Sequence, residues 1–293
     1  MKSRTLAWAS TVALALTTAL TVVPAAPASA SSDVGTYIVG GSDATEDYPF
    51  AARTLSHYPG IGTARCTATL VTVHGRIGVA TAAHCVSDLV TGAAIPATNI
   101  EVQIGSTRLD ELTTVGVKRV EVNPEWDWAT GPDRVADVAV LVLDTDLPLT
   151  GIRLGNQVSD HRKVRILGWG KTTVDATVPP PVLQQLDTRL TTPDKCASAG
   201  ITEGELCVND ADGATACQGD SGGPALGRTP NNTWVLLGGT SRVTDEQQCA
   251  GPAVYTNFVF WSDWITEALT RGLPHKPRHV EHGAAQRFYA LAG

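Results

Sequence analysis

An all-β protein is predicted for most of this 293-residue chain, from three observations. Short apolar runs recur between residues 51 and 256, each cut by Gly, Pro, Asn or Asp. Several of these runs alternate apolar with polar residues, as half-buried antiparallel strands do. No long helical periodicity interrupts them until near the end, at roughly Phe258 to Thr270. Such a pattern fits a barrel or a sandwich. The runs fall into two successive sets, followed by the single helical pattern.

The elements can be justified in chain order. Lys2 and Arg4 precede an uncharged run from Leu6 to Val23, then Pro24 and the small residues Ala28-Ser29-Ala30. This three-part layout predicts a secretory signal peptide over 1–30, cut after Ala30. A membrane anchor is the alternative, because the run is nearly long enough to span. Its Ala- and Thr-rich composition favours the signal, so the chain is expected outside the cell, with no membrane contact after cleavage. Residues 31–37 form a short polar stretch before Ile38.

The first strand set comprises Leu70–Val73, Gly78–Ala80, Ile100–Ile104, Val115–Val122 and Val138–Leu143. The second comprises Lys163–Leu167, Leu183–Leu190, Trp234–Gly239 and Ala253–Thr256. In the closing helix, Trp261, Trp264, Ile265 and Leu269 recur near helical spacing and are expected to pack into a core. The tail over 272–293 carries Pro274, Pro277, His275, His279 and His282 among basic residues, and is expected to be disordered. A metal site from His279 and His282 is the alternative there.

Composition narrows the function. Acidic residues outnumber Lys and Arg by 29 to 22, which argues against nucleic acid as a partner, since phosphate binding needs a basic face. Secretion permits disulfides, and the six cysteines are even in number, although spacing leaves fifteen pairings open. No C-x-x-C pair exists, so a zinc site is not expected.

The chemistry centres on Cys217-Gln218-Gly219-Asp220-Ser221-Gly222-Gly223-Pro224. Glycines at that density let the backbone turn sharply, expose the Ser221 hydroxyl and aim amides at a developing oxyanion. Taken alone, Gly219 to Gly223 also satisfies the G-x-S-x-G elbow of α/β-hydrolases, which places its acid and histidine after the serine. Here the other motifs come first: Ile38-Val39-Gly40-Gly41, then Thr81-Ala82-Ala83-His84-Cys85, then Asp137 opening the apolar run Val138 to Leu141. His57, His74 and His161 lie in polar surroundings without a motif and are expected in surface loops.

In these four motifs and their order, the chain resembles the trypsin/chymotrypsin-like serine proteases over about residues 38–271. Gly168-Trp169-Gly170 matches a further family segment. The resemblance implies two antiparallel six-stranded β-barrels with a C-terminal helix and the active site between them. It implies a catalytic triad of His84, Asp137 and Ser221, an oxyanion hole from the amides of Gly219 and Ser221, and a Ser241 hydroxyl touching the triad aspartate. Residues 31–37 become a propeptide whose removal, at Tyr37–Ile38, frees an ammonium that pairs with Asp220. No basic residue precedes Ile38, so a trypsin-like activator is not expected.

The disulfides implied are Cys66–Cys85, Cys196–Cys207 and Cys217–Cys249. Thr215 falls at the base of the substrate pocket, where Arg/Lys-specific members keep an aspartate. Val243 and Ala253 replace glycines of its walls, which implies a preference for small to medium apolar side chains. Arg242 replaces a tryptophan, for no reason visible in the sequence. Asp110-Glu111 is the only close acidic pair in the first barrel, so no required metal and no cofactor are expected. The expected partners are protein or peptide substrates and protein protease inhibitors, and the expected state is a monomer. Two rival readings remain: a non-catalytic binding protein on the same fold, its pocket narrowed by Arg242 and Val243, and an esterase using the same triad.

Overall fold

The computed structural model describes residues 38–88, 90–127, 136–159 and 161–272. The expected signal peptide, propeptide and all but the first residue of the tail lie outside the described residues. Strand β1 (Ser42–Asp43) precedes a closed six-stranded barrel. That barrel contains β2 (Ala51–Tyr58), β3 (Gly62–Val73), β4 (Arg76–Thr81), β5 (Ile100–Ile104), β6 (Thr113–Val122) and β7 (Ala139–Leu143). Its strands pair antiparallel in the order β2-β3-β4-β7-β6-β5, and β5 returns to β2.

The second barrel contains β8 (Lys163–Gly168), β9 (Gln184–Thr191), β10 (Glu205–Val208), β11 (Pro224–Arg228), β12 (Trp234–Asp245) and β13 (Ala250–Asn257). It runs β9-β10-β13-β12-β11-β8 and closes through antiparallel β8–β9 pairing, with β1 added beside β9. The expected fold of two six-stranded barrels and a C-terminal helix is the one observed.

Strands that the sequence pattern did not mark are instructive. In β2, Arg53, Thr54 and Ser56 are buried, so the apolar alternation that would announce a strand is broken by polar residues inside. β11 opens on a proline and contains a glycine, both poor strand signals. His57 is exposed as expected, yet it sits within β2 rather than in a loop. The terminal helix α1 (Ser262–Thr270) starts later than its periodicity suggested. The Asn257 carboxamide oxygen accepts from the amides of Val259 and Phe260, both at 3.1 Å, and holds those residues in a turn.

The larger apolar cluster fills the first barrel and reaches Leu167, Trp169, Leu226 and Phe258 of the second. Ile265, Ala268 and Leu269 of α1 are buried in it, while Trp261 and Trp264 pack against it half-buried. A second cluster in the other barrel includes Ile166, Leu237, Tyr255 and, from the start of the described chain, Ile38. Among the described residues, no helix is long and apolar enough to cross a membrane.

Candidate active site

His84 lies in a single 3-10 turn, Ala83–Cys85, directly after β4, and Asp137 immediately precedes β7. β4 and β7 are neighbours, with Thr81 opposite Ala139, so barrel pairing alone brings the imidazole and the carboxylate together. Asp137 Oδ1 accepts from the His84 amide at 3.0 Å, and Oδ2 meets His84 Nδ1 at 2.8 Å. The second barrel holds the same aspartate from behind. Ser241 Oγ donates to Oδ2 at 2.6 Å, and Thr256 Oγ1 donates to the Asp137 carbonyl at 2.9 Å.

Asp137 is only 1% exposed. Burial would push its carboxyl up, but the His84 charge, the His84 ring and amide donors and the Ser241 hydroxyl together hold it below the ordinary carboxylate value. It is therefore ionised at neutral pH and fixes the histidine ring through Nδ1.

Ser221 lies half-buried in the loop between β10 and β11. The Gly222 amide donates to the Thr240 carbonyl at 2.7 Å, and Thr240 returns its amide and hydroxyl to the Gly223 carbonyl. This latch sits one residue before Ser241, so the serine loop and the Asp137 contact share one segment of β12. Gly222 also lies against the histidine segment. A Cβ there would come within 2.2 Å of Thr81 Oγ1, 2.6 Å of the Thr67 carbonyl oxygen and 2.7 Å of the Ala82 amide nitrogen.

With φ at +74°, Gly222 is doubly required. Gly222→Ala is expected to cost ~3 kcal/mol and lower Tm by roughly 6–12 °C, because it would push the two barrels apart at the serine. Differential scanning calorimetry checks this; an unchanged Tm would mean the loop is not seated against Thr81.

Neither the Gly219 nor the Ser221 amide is taken by an acceptor among the described residues. Thr67 Oγ1 donates to the Gly219 carbonyl at 2.9 Å and accepts from the Trp169 amide at 3.2 Å, pinning the serine loop from the first barrel. Sequence reasoning missed Thr67 and Thr256. Neither belongs to a recognisable motif, and each matters only through pairing between barrels.

Asp220 is 1% exposed, and its oxygens accept from the amides of Gly170 and Cys217, both at 2.8 Å. Among the described residues no side-chain cation pairs with it. Burial pushes its carboxyl up to about 7 in spite of the two amides. Gly168 and Gly170 form its cradle, since a Cβ on either would overlap the carboxylate. Nearby, the Thr215 amide donates to the Val39 carbonyl at 2.9 Å, and Gly40 packs on Ala214. Ile38 is buried at φ +44°, which is strained for a β-branched residue.

Among the expected pocket residues, Thr215 and Ala253 are buried, and Val243 is half-buried. Val243 and Ala253 are direct cross-strand partners on β12 and β13. The cysteines join as Cys66–Cys85, Cys196–Cys207 and Cys217–Cys249. His84 sits close to both sulfurs of the first bond, but a disulfide has no thiolate to offer a metal.

Two closed antiparallel barrels, with an imidazole–carboxylate pair on one and a glycine-rich serine loop of the other seated against the histidine segment, define a two-barrel all-β class of protein. The comparison with known families makes this specific: the Trypsin family model matches residues 38–265, and the chain belongs to that family. It is 29% identical over 249 residues to the rat protein "Transmembrane protease serine 9", covering 80% of this chain and 22% of that one. It is 28% identical over 236 residues to Hypodermin-A of Hypoderma lineatum, covering 75% and 82%. It is 29% identical over 260 residues to the proclotting enzyme of Tachypleus tridentatus, covering 80% and 66%. Against the longer relatives the alignments span as little as 14% of the relative's length.

Proposed function

We propose that this chain is a secreted serine endopeptidase that hydrolyses peptide bonds through Ser221, His84 and Asp137, and that cleavage before Ile38 activates it. The observation that carries the reading is the buried Asp137 carboxylate, bonded to His84 Nδ1 from one barrel and to Ser241 from the other. With Nδ1 committed, His84 Nε2 is the nitrogen that takes the Ser221 proton as Oγ attacks the peptide carbonyl. The new oxyanion is received by the amides of Gly219 and Ser221. Collapse expels the amine, which takes the proton from His84 and leaves an acyl-enzyme. Water, deprotonated by the same imidazole, then releases the acid.

The proposed substrate pocket takes small to medium apolar side chains, with Thr215 rather than an acid at its base and the cross-strand neighbours Val243 and Ala253 in its walls. Proteins and peptides are the proposed substrates, and protein protease inhibitors are further partners. The strained, buried Ile38 and the unpaired Asp220 support activation by cleavage at Tyr37–Ile38, which would release the strain and supply the missing ammonium.

Fluorophosphonate labelling, with the adduct mapped by mass spectrometry, tests the reading on protein beginning at Ile38 and on the unprocessed chain. Modification of Ser221 only after processing is the expected result. No labelling of either form would favour a non-catalytic role for the fold, whereas equal labelling of both would remove the activation step. Paired ester and peptide substrates separate an endopeptidase from an esterase.

A further inference from the structure

Arg242, without a role at the level of sequence, is 4% exposed in its side chain, and its partner Glu205 is 0% exposed. Its Nη1 and Nη2 donate to the two Glu205 oxygens at 2.6 and 3.0 Å. Nε donates to the Ala199 carbonyl at 2.7 Å, and Nη2 also donates to the Gly200 carbonyl at 2.8 Å. The remaining Nη1 proton goes to Ser241 Oγ at 3.2 Å. A guanidinium has five N–H bonds, and these five contacts use all of them. Glu205 Oε2 is further bonded by the Thr202 amide and hydroxyl at 2.7 and 3.0 Å.

Both ions are thus buried, paired and fully hydrogen-bonded, the condition under which such a pair is tolerated. The two carbonyls end a 3-10 helix, Pro193–Ala199, which the Cys196–Cys207 disulfide ties to β10. The arginine is therefore held on a fixed support and has no donor left for a substrate.

The consequence falls on Ser241. A hydroxyl has one proton, and a guanidinium can donate but not accept. Arg242 occupies the acceptor side of Ser241 Oγ, so the hydroxyl proton is directed to Asp137 Oδ2 at 2.6 Å, the atom that also meets His84 Nδ1. A donor on one side of a hydroxyl also strengthens its donation on the other.

We infer that Arg242, anchored by Glu205, is a positioning residue of the catalytic site: it sets the direction of the Ser241 O–H bond and thereby the orientation of Asp137 against His84. The inference rests on the triad reading proposed above.

The test uses the full chain processed to begin at Ile38. Arg242→Met and Glu205→Met are introduced together, because either alone would strand a buried charge, whereas an apolar pair of similar size is tolerated. The expected result is a kcat about tenfold lower with KM changed by less than about twofold. In a Ser241→Ala background the same pair of substitutions should lower kcat by less than about twofold, because the hydroxyl it acts through is gone.

Arg242→Lys alone keeps the charge with three donors instead of five, and gives a second cycle should the double variant not fold. A loss of about threefold is expected there, again absent with Ser241→Ala. Unchanged kcat in the folded variants, or an equal loss with and without Ser241, would overturn the positioning role and leave the pair as packing alone. Fluorophosphonate labelling of the unsubstituted processed chain separates the two levels. Unlabelled Ser221 overturns the triad reading and this inference with it; labelled Ser221 with additive effects overturns only the inference.

Discussion

Ser221→Ala, in the chain processed to begin at Ile38, is expected to lower kcat for peptide hydrolysis by about a million-fold with little change in KM. The size of the effect follows from how the site is divided. In the proposed mechanism Ser221 supplies the attacking oxygen, and its neighbours Gly219, Asp220, Gly222 and Gly223 offer amides or a buried carboxylate, not a second nucleophile. His84→Ala should cost about as much, and the double variant no more, because proton transfer and attack are one step.

Asp137→Asn is expected to cost about ten-thousandfold, through the wrong histidine tautomer rather than lost geometry. Removing the half-buried Ser221 hydroxyl leaves the Gly222–Thr240 latch intact, so Tm should stay within ~2 °C. Steady-state kinetics on an apolar peptide substrate, with Tm as the folding control, decides it. A Ser221→Ala variant retaining more than about one hundredth of the activity would mean a different nucleophile.

A large pH effect is expected at Asp220, and it should differ between the unprocessed and processed chains. In the unprocessed chain burial holds this carboxyl at about 7, against an ordinary value of 3.8. Between about pH 4 and pH 7 the folded state therefore keeps a proton that the unfolded chain has lost, and stability falls as pH rises through that window. Below it both states are protonated and the penalty vanishes. The loss is on the order of 4 kcal/mol if the whole difference is expressed.

Processing would add the Ile38 ammonium, which lowers the carboxyl value and raises that of the amine. Its stabilisation should be present near neutrality, and lost both as the carboxylate protonates in acid and as the amine deprotonates in alkali. Urea unfolding from about pH 4 to pH 10 should therefore show the largest gap between the two forms near pH 7 to 8. Activity of the processed form should decline in alkali. Asp220→Asn should abolish the acid-side slope of the unprocessed chain. An unprocessed chain equally stable at about pH 4 and pH 7 would show that Asp220 is solvated, and would remove the driving force for the ammonium to enter.

Much of this protein is legible in one dimension because its motifs are local. A serine between glycines needs only its neighbours to gain an exposed hydroxyl, and the alternation in β5 or β6 is a property of a few consecutive residues. β2 and β11 escaped notice for the converse reason. Each pairs on one side with the next strand and on the other with a strand distant in sequence, β5 for β2 and β8 for β11, so Thr54 and Ser56 lie inside without an apolar signal, and Pro224 opens a strand. α1 starts later than its periodicity predicts because a single side chain, Asn257, outweighs the periodicity of the four residues after it.

The sequence by itself determined the all-β class, the order of the four motifs and the identities of His84, Asp137 and Ser221 as candidates. Tertiary structure alone decided what surrounds them. Asp137 became a buried, thrice-bonded anion only when β4, β7 and β12 converged. Thr67 became a clamp on the serine loop across 152 residues of chain. Arg242, inexplicable beside Ser241 and Val243, acquired its reason only from Glu205, 37 residues earlier. Burial and hydrogen-bond completion depend on which segments meet, and that is a property of the closed barrels, not of any stretch of sequence within them.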